Sequence, residues 1–206
     1  MDVRSSYDSA ASAYAEHLFN ELESKPLDRH LLNRFAEEVG GGRVADVGCG
    51  PGHVARYLSE HGVDAFGIDL SPEMIRVAKK MSPGLSFQVG DMTALDLGDA
   101  SIDGIVSFYS IVHLDSQHLT RVFAEWRRVL KSRGLVLVAF HIGTESHHVD
   151  DMWGSEVSLD FQFHEIDSVV RALRGAGCEV LETSERAPYK DVEYPSRRCY
   201  ILARAA

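Results

Sequence analysis

Hydrophobic and polar positions along this chain follow two different periods, and the switches between them mark its elements. Ala11, Tyr14 and Leu18 recur at helical spacing near the start, and Leu27, Leu31, Leu32, Phe35 and Val39 do so behind Pro26. Gly40-Gly41-Gly42 stops the second pattern. From Arg43 onward, apolar runs of strand length alternate with amphipathic helical patterns. The runs are Val44–Val47, Ala65–Ile68, Leu85–Val89, Ile102–Phe108 and Leu135–Phe140. Two of the helices carry clear starts: Ser71-Pro72 ahead of Met74, Ile75, Ala78 and Met81, and Asp115 ahead of Leu119, Val122, Phe123 and Trp126. Alternation of this kind predicts an α/β fold, a parallel sheet with helices on both faces.

The rhythm changes after the fifth run. Residues Ile142–Phe163 are polar, His-rich and weakly periodic, and a stretch that long reads as a lid or binding loop. A helix over Ile166, Val169, Val170 and Leu173 follows, stopped by Gly175 and Gly177. Two runs, Cys178–Thr183 and Arg198–Ala203, then come without a helix between them, which suggests an antiparallel hairpin at the sheet edge.

Composition narrows the classes. A chain of 206 residues suits one well-buried domain. The formal net charge of −10 repels phosphate backbones, and the densest basic cluster, Arg127, Arg128, Lys131 and Arg133, falls at a predicted helix end where cations complement the macrodipole. No nucleic-acid partner is expected. The three cysteines, Cys49, Cys178 and Cys199, are widely spaced and form no CxxC pair, so neither a disulfide framework nor a zinc site is indicated. With no apolar run near membrane length and no apolar core of a signal peptide at the start, the expectation is a cytoplasmic protein without a membrane partner.

The chemistry concentrates in Val44-Ala-Asp-Val-Gly-Cys-Gly-Pro-Gly-His53, a strand running into a glycine turn and then a helix. Gly48, Gly50 and Gly52 let the backbone turn sharply and approach a ligand closely. In open α/β sheets the ligand crevice lies at the carboxyl ends of the strands. The dinucleotide fingerprint G-x-G-x-x-G would put its third glycine at 53, which is His53, so a dinucleotide is disfavoured. Asp46 precedes the turn, Asp69 ends the second strand and Asp91 follows the third. Asp69 is placed to accept from ribose hydroxyls and Asp91 from an adenine amine, while Asp46 suits a cationic ligand group.

From Val44 to about Thr144 the chain resembles the class I S-adenosylmethionine-dependent methyltransferases, in particular the subfamily acting largely on small molecules. The ending Leu173-Arg-Gly-Ala-Gly-Cys-Glu-Val-Leu181 resembles that family's last helix and strand. The resemblance implies a Rossmann-like, seven-stranded, mostly parallel sheet with an antiparallel last strand and an N-terminal helical cap. It divides a single domain over residues 1–206 into a cap (1–40), a cofactor-binding core (43–140), an insertion or lid (141–164), and a last helix with a strand hairpin (165–206). S-adenosylmethionine would be the cofactor and S-adenosylhomocysteine the product. Asp46, Gly48, Cys49 and Gly50 would line its methionine moiety and Asp69 would hold the ribose. Leu70 and Met74 would flank the adenine, and Asp91 and Met92 would bind its edge. Phe108 and Ser110 would sit beside the sulfonium, and Tyr14 would contact the cofactor from the first helix.

For the acceptor, family geometry nominates Tyr7, Tyr14, His113, His141, Glu145, His147, His148, Trp153 and Phe161. His113, His141 and Tyr14 are the candidates for catalysis, since a hydroxyl, thiol or ammonium acceptor must lose a proton and histidine titrates near neutrality. His141, His147, His148 and His164 with Asp150 and Asp151 lack H-x-x-x-H or HExxH spacing, so no metal is expected. The expected function is methyl transfer to a small-molecule acceptor. A protein or RNA methyltransferase, a non-catalytic S-adenosylmethionine-binding protein and a non-methyl reaction such as cyclisation are the alternatives.

Overall fold

The computed structural model describes residues 1–206, the side chain of Ser116 apart. The first helix, α1 (Val3–Leu18), starts in a capping box: Ser5 N–H donates to the Asp2 carboxylate at 2.8 Å, and Asp2 N–H donates to Ser5 Oγ at 3.1 Å. A 3-10 turn (Glu21–Ser24) leads into α2 (Pro26–Val39), which has proline at its first position and ends on Gly40 in left-handed backbone.

The repeating units follow: β1 (Arg43–Val47), α3 (His53–Glu60), β2 (Asp64–Asp69), α4 (Pro72–Met81), β3 (Ser86–Val89) and β4 (Ile102–Phe108). Ser71 caps α4, accepting from Met74 N–H at 3.0 Å. After a 3-10 turn (Ile111–His113) come α5 (Ser116–Val129), capped by Asp115, and β5 (Leu130–His141). The chain ends with β6 (Ser146–Met152), β7 (Ser155–Gln162), α6 (Ile166–Gly175), β8 (Cys178–Arg186) and β9 (Arg198–Ala205).

Seven strands form one sheet in the order β3-β2-β1-β4-β5-β9-β8, and β9 alone runs antiparallel to its neighbours β5 and β8. Alternate residues of each central strand serve opposite faces. Ala45, Ile105 and Val136 pack with α5 and α6, while Val44, Val106 and Leu137 pack with α2 and α3. Trp126, Phe123 and Phe140 anchor the first core, and Phe35 and Tyr200 the second. The chain moves outward from β1 through β2 to β3, then returns to place β4 on the other side of β1. The sheet order therefore reverses between β1 and β4, which opens a crevice at their carboxyl ends.

The stretch expected as a loop, 142–163, is instead a β-hairpin. β6 pairs antiparallel with β7 through a two-residue turn, Trp153 and Gly154, both in left-handed backbone (φ 52° and 82°). Val157, Leu159 and Phe161 alternate with polar residues along β7. The first two bury against Ala10 of α1, and that long-range contact stabilises strands whose own sequence is mostly polar. The fifth strand also begins five residues before its apolar run, because Leu130 pairs with Ile102 ahead of a bulge.

Candidate functional site

The turn between β1 and α3 lies at the carboxyl ends of β1 and β4. Gly48 has φ 75°, and a Cβ there would fall 2.2 Å from Cβ of Ser110, so glycine alone lets the two strand ends approach this closely. The N–H groups of Gly48 and Cys49 both donate to the Ile68 carbonyl, at 2.8 and 3.1 Å, which ties the turn to β2. Asp69 continues that tie. Its Oδ2 accepts from Gly50 N–H at 2.8 Å and its Oδ1 from Ser71 N–H at 2.9 Å. Burial raises the Asp69 carboxyl above the ordinary aspartate range, opposed by these two backbone donors. Each oxygen keeps a second lone pair for a ligand.

A cleft of about 200 Å³, open to solvent, lies here. Gly48, Gly50, Asp69 and Leu70 line one side, Asp91 and Met92 the next, and Phe108, Tyr109 and Ser110 the floor after β4. Asp91 accepts from both the N–H and the Oγ1 of Thr93 at 2.8 Å, both bonds on Oδ1. From above, Val3, Tyr7 and Tyr14 of α1 complete the wall. Three consecutive residues hold that helix down. Ser6 Oγ accepts from Ser158 N–H of β7 at 3.0 Å; Tyr7 bonds to His113; Asp8 accepts from Ser71 Oγ at 2.6 Å and Glu73 N–H at 3.2 Å.

His113 is held on both nitrogens. Nδ1 lies 2.9 Å from the Asp160 carbonyl and Nε2 lies 2.8 Å from Tyr7 Oη. A carbonyl only accepts, so Nδ1 carries the hydrogen and, in the neutral ring, Nε2 accepts from the phenol. Burial lowers the His113 pKa and pushes that of Tyr7 up, so the neutral pair is the resting form.

Several expected residues lie elsewhere. Asp46 corrects the expectation that three carboxylates converge on the cleft. It is turned away under α3, accepting from Ala55 N–H at 3.0 Å, and burial pushes its carboxyl up to about 7. Cys49 is buried toward Gly67 and Phe87, so its side chain contributes no cleft surface. Met74 packs among Ala11, Ala15 and Val77, joining α4 to α1. His141 is outside the lining as well. It bonds Ser196 Oγ at 2.6 Å and stacks on Phe163, and burial with Arg198 nearby lowers its pKa to about 4.

Of the remaining nominees, Phe161 backs His113 at 5.0 Å between ring centroids, and Trp153 stacks on His17 at 4.6 Å beside Tyr14. His147 meets Tyr194, His148 pairs with Asp160 at 2.8 Å, and exposed Glu145 caps its own turn, accepting from Thr144 N–H at 2.9 Å. Among the described residues no group of three or more histidines, cysteines or acids could hold a metal ion, and no helix is long and apolar enough to cross a membrane. Two contributors have weak sequence signals. Tyr109, in left-handed backbone (φ 56°), is marked only by following β4, and the backbone carbonyl of Asp160 carries no side-chain signature.

A glycine turn at the switch point, an acid at the end of β2 braced onto that turn and another acid after β3 define an α/β protein of methyltransferase architecture. Residues 44–134 match a family described as a methyltransferase domain. A sterol 24-C-methyltransferase from Gibberella zeae is 28% identical over 204 residues, covering 92% of this chain and 50% of that protein. A phosphoethanolamine N-methyltransferase from Arabidopsis thaliana is 33% identical over 152 residues, covering 71% of this chain and 30% of that protein. The chain thus spans about half or less of these relatives' length. Among solved structures, an S-adenosylmethionine-dependent methyltransferase from Methanosarcina mazei superposes with a TM-score of 0.71 at 20% identity, over 80% of this chain and 92% of that one. Over its β1–β5 core the chain is thus similar to S-adenosylmethionine-dependent methyltransferases, and it shares their fold.

Proposed function

We propose that the protein transfers a methyl group from S-adenosylmethionine to a small-molecule acceptor. The observation that carries this reading is Asp69, a largely buried carboxylate braced by two backbone donors and facing the cleft. The residues present fit the cofactor. Asp69 and Asp91 offer acceptors suited to ribose hydroxyls and an adenine amine, with Leu70 and Met92 as apolar flanks. Tyr14 has no hydrogen-bond partner among the described residues and stands over Gly50, where it can donate to the cofactor's carboxylate.

What a bound S-adenosylmethionine supplies is an electrophilic methyl carbon on a sulfonium. The protein's tasks are therefore alignment and exclusion of water, served by the floor of Phe108 and Ser110 and by α1 above. A proton released by the acceptor passes to Tyr7 Oη as the phenol's own proton moves to Nε2 of His113. The Nδ1–H stays on the Asp160 carbonyl and keeps the ring in place. Calorimetry with S-adenosylmethionine and with NAD tests the ligand, and transfer of labelled methyl to metabolites tests the reaction. Tight binding of NAD alone would overturn both.

A further inference from the structure

The hydrogen-bonding capacity of the cleft is unevenly spent, and this bears on the acceptor. Among its described lining residues none is lysine or arginine, and two, Asp69 and Asp91, are acids. The side-chain donors are engaged within the protein. Thr93 Oγ1 donates to Asp91, Ser110 Oγ to the Val47 carbonyl at 2.9 Å, and Tyr7 to His113, whose own N–H is on Asp160. Tyr109 Oη is tied to Tyr200 Oη at 2.8 Å and reaches the Asp28 carboxylate at 3.3 Å. Tyr14 is the exception, and it sits at the glycine turn.

Cations do lie nearby, behind the Tyr109 ring, with Lys25 at 5.3 Å and Arg198 at 5.8 Å from its centroid. They are spent too. Lys25 pairs with Glu21 at 2.5 Å, Arg186 with Asp28 at 3.1 Å and Arg198 with Glu193 at 3.1 Å. Three buried cations face three acids, so the cluster projects little positive field into the cleft. The surface left at the acceptor end is apolar or aromatic: Val3, Tyr7, Phe108, Tyr109 and Leu114.

We infer that the methyl acceptor is an uncharged molecule with an apolar body, and that the site discriminates against phosphorylated or carboxylated acceptors. An anion entering at the acceptor end meets no lysine or arginine and no free side-chain donor beyond Tyr14, so much of the water it loses is not replaced. An apolar body loses nothing on the same wall and gains from burial. This inference rests on the methyl-transfer reading above.

The test uses the full chain, S-adenosylmethionine labelled in its methyl group, and a total small-molecule extract of the source cells, partitioned at neutral pH between water and ethyl acetate. The expected result is label in the organic phase at about ten times or more the amount left in water as new product. Label confined to water-phase products overturns the inference while leaving the methyltransferase reading intact. Absence of label in both phases overturns the methyl-transfer reading itself and the inference with it, and calorimetry on the same sample shows whether cofactor binding fails too.

Discussion

The phenol of Tyr7 and Nε2 of His113 meet at 2.8 Å across 106 residues of chain, joining the first helix to the turn after β4. The bond joins the two side chains into one hydrogen-bonded unit, with His113 fixed from behind by the Asp160 carbonyl, and the proposed proton path runs through it. Tyr7→Phe removes the hydroxyl and keeps the ring. It should lower turnover by roughly 10²–10⁴-fold for an acceptor that must lose a proton. Cofactor affinity by calorimetry should stay unchanged. Wild-type turnover in Tyr7→Phe would remove the pair from the reaction.

The pH profile follows from the same pair. Burial lowers the His113 pKa below its ordinary 6.5, so the ring accepts a proton only above that lowered value. The acid limb of kcat/KM should fall at a pH below 6.5, with activity level through neutrality. His113→Gln should abolish that limb. A limb that persists unchanged in His113→Gln would assign it to another group.

Asp69→Asn keeps the shape of the side chain but weakens its charged acceptors. Loss of charge-assisted bonds to ribose should cost roughly 1.5–3 kcal/mol of S-adenosylmethionine binding. Isothermal titration reads this directly. An unchanged dissociation constant would show that Asp69 serves only the turn.

Two glycines separate backbone strain from crowding. Gly48 and Gly62 both have left-handed backbone, φ 75° and 83°, but a Cβ on Gly62 meets open space while one on Gly48 meets Ser110 at 2.2 Å. Gly62→Ala should cost about 1–2 kcal/mol of stability, the left-handed penalty alone. Gly48→Ala should cost clearly more in urea unfolding and also weaken cofactor binding. Equal losses in the two variants would deny the close approach of β1 and β4.

Asp46 makes stability depend on pH in an unusual direction. Its folded pKa, pushed up to about 7, lies above the ordinary 3.8, so the folded chain holds a proton that the unfolded chain releases. Its contribution is fully present below about 3.8 and is lost as pH rises to about 7. Asp46→Asn cannot ionise, so its stability relative to wild type should be higher at about pH 8 than at about pH 5. A constant difference across that window would refute the shift.

Much of the sheet is legible in the sequence because Val44–Val47, Ala65–Ile68 and Ile102–Phe108 are apolar on both faces, as buried parallel strands require. The hairpin is only half legible. Val157, Leu159 and Phe161 alternate as a strand does, but β6 is polar except for Val149 and Met152 and gains its partner by tertiary contact. The direction of Asp46 is a matter of pleat. It sits one residue from Ala45 and Val47, which face the other layer, so its carboxylate points under α3 even though its position suggests the cleft. His141 likewise ends a strand beside the crevice, but pairing with Arg198 and stacking on Phe163 aim it at Ser196. Contacts such as Tyr7–His113 and Asp8–Ser71 span too much chain for any local rule to foresee.

Ser6, Tyr7 and Asp8 each grip a different part of the molecule: β7, the turn after β4 and the start of α4. Because the three grips act in parallel on one rigid helix, breaking any one leaves the other two in force. Release of the whole helix would take apart the Tyr7–His113 pair and the upper wall of the cleft together, so the two stand or fall as one.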